Sequence, residues 1–182
     1  MIKHRADLRR YLEMDAVALG LDPSKIYILG KEVWHFQKSL RMYEYFLNCS
    51  NNRLLRLFWY VRYRRLGMKL GFIIPPNVFG GGLRINHYGN IVVNPDAKVG
   101  EWCDIHQGVN IGTGMDGGVP KLGDNVWIGP GAKLYGNIVI ADGCAVGANA
   151  VVNKSFLVPQ CTIAGVPAVV ISKTGNMYLR GK

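Results

Sequence analysis

Acidic side chains are scarce in this chain, with 12 Asp and Glu against 22 Lys and Arg among 182 residues. The imbalance is local: residues 1–72 hold 14 basic and 6 acidic residues, whereas residues 73–182 hold 8 and 6. Cysteine is sparse and dispersed. Cys49, Cys103, Cys144 and Cys161 have no paired metal-ligand spacing, so they read as reduced, mostly buried small residues, and neither a disulfide framework nor a zinc site is expected. Histidine is also scarce. Only His87 and His106 lie beyond residue 72, too few for a three-histidine zinc centre, so no metal is expected. No run of about 18 uncharged apolar residues is present to cross a membrane. The start, MIKHRADLRR, is charged and lacks the apolar region of a secretory signal, so a cytoplasmic location is the expectation. No recognised binding motif accompanies the basic charge, and nucleic acid is not an expected partner.

What the sequence does have is a period of six. Aliphatic or aromatic anchors recur at Ile73, Phe79 and Ile85, then Val93, Val99, Ile105 and Ile111, then Leu122, Ile128, Leu134, Ile140, Val146 and Val152, and finally Ile163. Glycine follows the anchor at positions 80, 100, 112, 123, 129 and 147. A sandwich of alternating strands would not hold one register so long, and the pattern predicts a β-helix built from hexapeptide repeats. Each flat wall supplies one inward side chain, and the corners need residues that tolerate left-handed backbone, such as glycine and Asn94, Asn125, Asn137 and Asn149. Three hexads per coil predict three columns: Ile73, Val93, Ile111, Leu134, Val152; Phe79, Val99, Leu122, Ile140, Ile163; and Ile85, Ile105, Ile128, Val146.

The part before the repeats reads as a helical cap, residues 1–71. A helix is expected over about Arg5 to Leu19, with a helix start at Asp22-Pro23-Ser24. A second spans about Lys31 to Cys49 and a third about Asn52 to Leu70. The third mixes Leu54, Leu55, Phe58 and Trp59 with Arg53, Arg56, Arg62, Arg64 and Arg65. Packing on the first coil with its arginines in water is the preferred reading, and peripheral contact of residues 53–70 with an anionic membrane is the other. The β-helix domain is expected over 72–171, and 172–182 form a short polar tail.

Breaks in the period locate candidate chemistry. Two extra residues between Ile85 and Val93 push Asn86, His87 and Tyr88 outward. The register stacks His106 over Asn86 and beside His87, because Ile105 lies one coil above Ile85. Long steps at 112–121 and 153–162 predict two loops leaving one corner and walling a site.

The segments INHYGNIVV, MDGGVPKLGDNVWIGPGAKLYGNIVI, GANAVVN and AGVPA, in that order, resemble the serine acetyltransferase group of hexapeptide acyltransferases. The resemblance implies a left-handed parallel β-helix, a homotrimer or a dimer of trimers, and acetyl-CoA in a groove between subunits. It implies that His87 is the general base toward an acceptor hydroxyl, with His106 beside it, and that Asn86, Tyr88 and Val119 contact the acceptor. Gly112 or Gly129 would offer an amide to the oxyanion. Gly112, Gly129, Ala132, Gly147, Ala148, Ala164, Gly165 and Pro167 fall on the family's CoA groove, with Lys133 and Lys154 as candidates for its phosphates.

Departures from the family pattern concern the acceptor. Val119 stands where the family has a second histidine, Asn86 where it has an aspartate, and Phe72 where it has the aspartate that orients the base. A short helical cap also resembles the polysaccharide-associated branch, such as the colanic acid acetyltransferase. On these grounds a sugar is the preferred acceptor and L-serine the alternative. A non-catalytic scaffold and a carbonic-anhydrase-like metalloenzyme are the competing classes.

Overall fold

The computed structural model describes residues 1–177; residues 178–182 of the tail lie outside the described residues. Three helices precede fourteen short strands, numbered in chain order. Helix α1 spans Arg5–Ala18, and His4 caps it by accepting the Asp7 amide at 3.4 Å. Helix α2 spans Glu32–Cys49. It starts eight residues after Ser24, the end of the Asp22-Pro23-Ser24 signal, behind Lys31 in left-handed backbone (φ 59°). The Asp22 carboxylate is instead spent on a local turn, accepting both the amide and the hydroxyl of Ser24. Helix α3 spans Arg53–Leu70, capped by the Asn52 side chain at one end and ended by Gly71 at φ 76°.

After Gly71 the chain winds a parallel β-helix. Its first wall comprises β1 (Phe72–Ile73), β3 (Ile91–Val93), β6 (Asn110–Gly112), β9 (Lys133–Tyr135) and β12 (Val151–Val152). The second comprises β4 (Lys98–Val99), β7 (Lys121–Leu122) and β10 (Val139–Ile140). The third comprises β2 (Arg84–Ile85), β5 (Asp104–Ile105), β8 (Trp127–Ile128), β11 (Ala145–Val146) and β13 (Thr162–Gly165). Strand β14 (Ala168–Ser172) folds back antiparallel on β13 and closes the edge of that wall. The tail beyond it is held through Asn176, whose amide donates to the Gly143 carbonyl at 2.7 Å and whose side chain reaches Asn125.

The predicted columns hold, with two corrections. Ile73 pairs with Val92 and is half in solvent, so the inward residue of the first coil is Ile74, fully buried. The turn out of α3 at Gly71 and the Pro75-Pro76 bend shorten this coil by one residue. At the other end Ile163 stacks on Val146 in the third column, and Phe156 takes the last place of the second by pairing with Ile140. Residues 153–162 are therefore a compressed wall of the last coil, not a loop. Phe156 is buried there and belongs to the core. Corners use left-handed backbone in file, as in Trp102, Asn125, Gly143 and Gln160 on successive coils. Asn125 and Asn149 adopt it as expected, and Asn94 and Asn137 do not.

The cap joins the first coil through a buried charged cluster. Arg41, wholly buried, donates to Asp15, to Glu44 and to the carbonyls of Phe79 and Gly80, at 2.6–3.3 Å. Asp15 also accepts the Leu83 amide, and Glu44 the Asn77 amide, at 2.9 and 2.7 Å. Burial pulls the guanidinium pKa down; the two carboxylates outweigh it and raise the pKa above its ordinary value. Beside this cluster Phe36 packs edge-on to Phe72 at 5.0 Å, and Tyr63 donates its hydroxyl to the Ile74 carbonyl.

Candidate active site

The third wall turns into the first at residues 86–90, and the register fixes what surrounds that corner. Ile85 pairs with Ile105, Ile105 with Ile128, Ile128 with Val146 and Val146 with Ile163. The residues one step beyond form a single outward file: Asn86, His106, Gly129, Gly147 and Ala164. Its upper two members are polar side chains and its lower three have almost no side chain. Three strand spacings, roughly 14 Å, separate His106 from Ala164. The glycines are demanded by the stacking itself, since a Cβ on Gly147 would lie 2.7 Å from that of Ala164 and one on Gly129 would lie 2.8 Å from backbone. The consequence is a strip of wall that is bare at Gly147 and Ala164 and runs to the exposed hairpin at Gly165 and Pro167; toward His106 the buried Gly129 is covered by the Trp127 ring, 2.8 Å from where its Cβ would be.

His106 is firmly placed. Its Nδ1 lies 3.0 Å from the Ile128 carbonyl, which can only accept, so the proton is on Nδ1 and the Nε2 lone pair is free. The ring packs on Trp127 with centroids 4.9 Å apart, and Asp104 Oδ1 lies 3.9 Å from Nδ1. Burial pushes its pKa below the ordinary histidine value; Asp104 and the Ile128 bond pull it back, while Arg84 and His87 lower it further. Asp104, which is buried, also accepts from Arg84 at 2.8 Å and from the Asn86 side chain. Thus Asp104 holds the wall around the histidines. Glu101 turns to another corner and pairs with Arg10 at 2.8 Å. His87 sits exposed on the bulge, close enough for its charge to act on His106, and no side chain among the described residues holds it by a hydrogen bond.

A cleft of about 270 Å³ opens beside the bulge, lined by Asn86 and Tyr88 and by Lys31, Glu32 and Trp34 of the cap. The cap contribution was missed from sequence, because these residues reach the bulge only through the tertiary docking of α2. Val119 is not part of this cleft. It lies in the 112–121 loop, which leaves the corner between the first and second walls and closes on itself through a Gly114 amide to Gly118 carbonyl bond. The expected grouping of Asn86, Tyr88 and Val119 is therefore not met within one chain. Phe72, at the position of the family's orienting aspartate, is spent on packing against the cap.

The other groove candidates fall as follows. Ala132 is fully buried, its methyl in the lumen. The amide of Gly129 is committed to the Val146 carbonyl at 2.8 Å and that of Gly147 to Ile163, so neither is free for an oxyanion. Gly112 ends β6 half-buried, and Ala148 is exposed at a corner. Lys133 donates to the Gly108 carbonyl, and Lys154 lies over the Phe156 ring at 5.6 Å. Among the described residues no group of three metal-ligating side chains converges.

A β-helix of stacked hexapeptides with two histidines at one corner and a file of small residues below them is the class that fold and site define. The bacterial transferase hexapeptide model of six repeats matches residues 120–154. In sequence the chain is similar to the serine acetyltransferases. It is 41% identical to that of Synechococcus elongatus over 107 residues, 57% of this chain and 43% of the relative. It is 41% identical to that of Mycobacterium tuberculosis over 105 residues, 56% of this chain and 45% of the relative. The chain thus spans less than half the length of these curated relatives. In structure it is similar to a Brucella abortus serine acetyltransferase solved with coenzyme A, at TM-score 0.77 and 27% identity, covering 95% of this chain and 71% of that one. The Neisseria gonorrhoeae serine acetyltransferase solved with serine gives TM-score 0.74 and 27% identity, covering 92% and 70%. The resemblance read from the sequence motifs is shown on both counts.

Proposed function

We propose that this protein is an acetyl-CoA-dependent O-acetyltransferase. His87 takes the proton of the acceptor hydroxyl as that oxygen attacks the thioester carbonyl, and the thiol of CoA leaves. A neutral imidazole is basic near pH 7, and a hydroxyl is a poor nucleophile without such help. His106, neutral and with its tautomer fixed, positions the acceptor beside His87. The bare positions Gly147 and Ala164 accommodate the pantetheine arm, and the observation that carries the reading is that they lie in the same outward file as His106, with the Trp127 ring between them and the histidine. Gly112 leaves a different corner from His87, so an amide near it would meet the oxyanion from a neighbouring copy, a role in which one donor is commonly worth about 3 kcal/mol.

L-Serine is the better supported acceptor. The relatives with which the chain aligns bear that activity in their names, and Lys31 with Glu32 places one charge of each sign in the cleft for a zwitterion. A sugar is the second reading, favoured by Trp34 and Tyr88 in the same cleft and by Val119 and Asn86 at positions where the family carries charge. Val119 and His87 leave different corners, so a shared site requires a neighbouring copy, which fits assembly as a trimer in the cytoplasm.

The test is thiol release from acetyl-CoA with L-serine set against sugars and nucleotide sugars. Turnover with serine alone would establish the first acceptor, and turnover with a sugar alone the second. His87→Ala should lose about 10²- to 10⁴-fold in turnover while retaining CoA binding. Full activity in that variant would overturn the assignment of the base.

A further inference from the structure

Helix α3 has two apolar stripes, and the fold uses one. Tyr63, Gly67 and Leu70, at i, i+4 and i+7, are its buried residues and face α2 and the first coil. Leu54, Leu57, Phe58 and Val61 repeat the helical spacing on the opposite side and are 81%, 57%, 55% and 37% exposed. Met68, 69% exposed, continues the same line two turns on. At 100° per residue Arg62 and Lys69 flank this stripe on one side, Arg53 and Arg64 on the other, and Arg65 interrupts it. The helix contains six basic residues and no acidic one.

We infer that this outward face of α3 lies on an anionic lipid surface. The apolar stripe calls for a partner that removes it from water, and the flanking cations call for negative charge at the edge of that partner. A bilayer interface with anionic headgroups supplies both in one plane, and long basic side chains reach the headgroups while their stems cover the boundary. A second copy meeting the same face would bring five more cations against these five, since Arg56 lies on the α2 side, with no carboxylate on the helix between them. Nucleic acid would satisfy the charges and leave Leu54, Leu57 and Phe58 in water. No helix among the described residues is long and apolar enough to cross a membrane, so contact is at the surface. Packing of α3 on the β-helix, the reading preferred from sequence, accounts for its carboxy-terminal half alone. The inference is independent of the acyl-transfer reading.

Flotation of the full chain with vesicles of phosphatidylcholine, or of phosphatidylcholine mixed with phosphatidylglycerol, tests this. The protein should float with the mixed vesicles at low salt, stay behind with neutral ones, and be released as salt screens the charges. Leu57→Glu/Phe58→Glu and Arg62→Glu/Arg65→Glu should each reduce the bound fraction roughly tenfold or more. Thermal midpoint and solution mass should not change, since neither pair touches the buried stripe. Failure to float with anionic vesicles, or flotation untouched by both double variants, would overturn the proposal. So would a fall in solution mass for Leu57→Glu/Phe58→Glu, which would mean that a second copy covers the face, or a tighter hold on nucleic acid than on vesicles.

Discussion

The β-helix and its helical cap solve the burial problem in opposite ways. The lumen is filled by repetition: Ile85, Ile105, Ile128, Val146 and Ile163 form one column, and each of the inner three pairs with the coil above and the coil below. No contact there differs much from its neighbours, so stability is spread evenly along the axis. The cap instead meets the first coil through Arg41, Asp15 and Glu44, where one guanidinium serves two carboxylates and backbone amides of Leu83 and Asn77 complete their bonding. Among the described residues just one other charged side chain is buried, Asp104. Charge is buried where the chain does something that repetition cannot: once to join the two parts, and once to build the site.

The largest effect should come from breaking the junction. Arg41→Met leaves Asp15 and Glu44 buried without a counter-charge, a loss of about 3–5 kcal/mol. The cap should then melt ahead of the β-helix, so that the fluorescence of Trp34 and the far-UV signal separate into two transitions. A single transition at the original temperature would mean that aromatic packing around Phe36 and Tyr63 carries the junction and that the contrast between the two parts is false.

Removing one rung of the lumen should cost less and stay local. Ile128→Ala is expected to lose about 2–5 kcal/mol, with the lower part of the range favoured where adjacent coils settle into the gap. Amide exchange should rise on β5, β8 and β11 and remain slow in the cap. Exchange that rose equally in both would show the two parts to be one cooperative unit.

The same contrast explains what could be read from the sequence. Repetition is written in the sequence as a period, so the β-helix, its register and the stacking of His106 over Asn86 were legible from spacing. The reading slipped at both ends of the solenoid, at Ile73 and Ile163, where the period meets a helix or a shortened wall. The junction was not legible, because Gln37, Arg41 and Glu44 follow the apolar stripe of α2 at i, i+4 and i+7 and look like an ordinary polar flank. Only distant partners make them core: Asp15 for Arg41, 26 residues away, the Leu83 carbonyl for Gln37 and the Asn77 amide for Glu44. That polar stripe beside an apolar one was the available signal. The cleft had none, since Lys31, Glu32 and Trp34 reach Asn86 by docking and nothing in their spacing points there. Likewise the direction of Asp104 depends on which neighbours, Arg84 and Asn86, the adjacent strand presents to it.

The smallest effect tests the buried charge at the site. His106 titrates below its ordinary value, chiefly through burial, with Asp104 opposing and Arg84 and His87 on the neighbouring coil assisting. In the unfolded chain the same imidazole takes its proton near pH 6.5, as a free histidine does, roughly. Between those two values the unfolded state binds the extra proton and the folded state does not. Stability from this group is therefore complete above the unfolded pKa and is lost as pH falls through the window toward the folded one. His106→Asn keeps a donor for the Ile128 carbonyl and removes the titration. The thermal midpoint of the unaltered protein should thus fall more steeply than that of the variant as pH is lowered from about 7 to about 5. Parallel curves would mean that Asp104 offsets burial fully, and the site would then owe its neutral imidazole to pH alone and not to the wall on which the solenoid holds it.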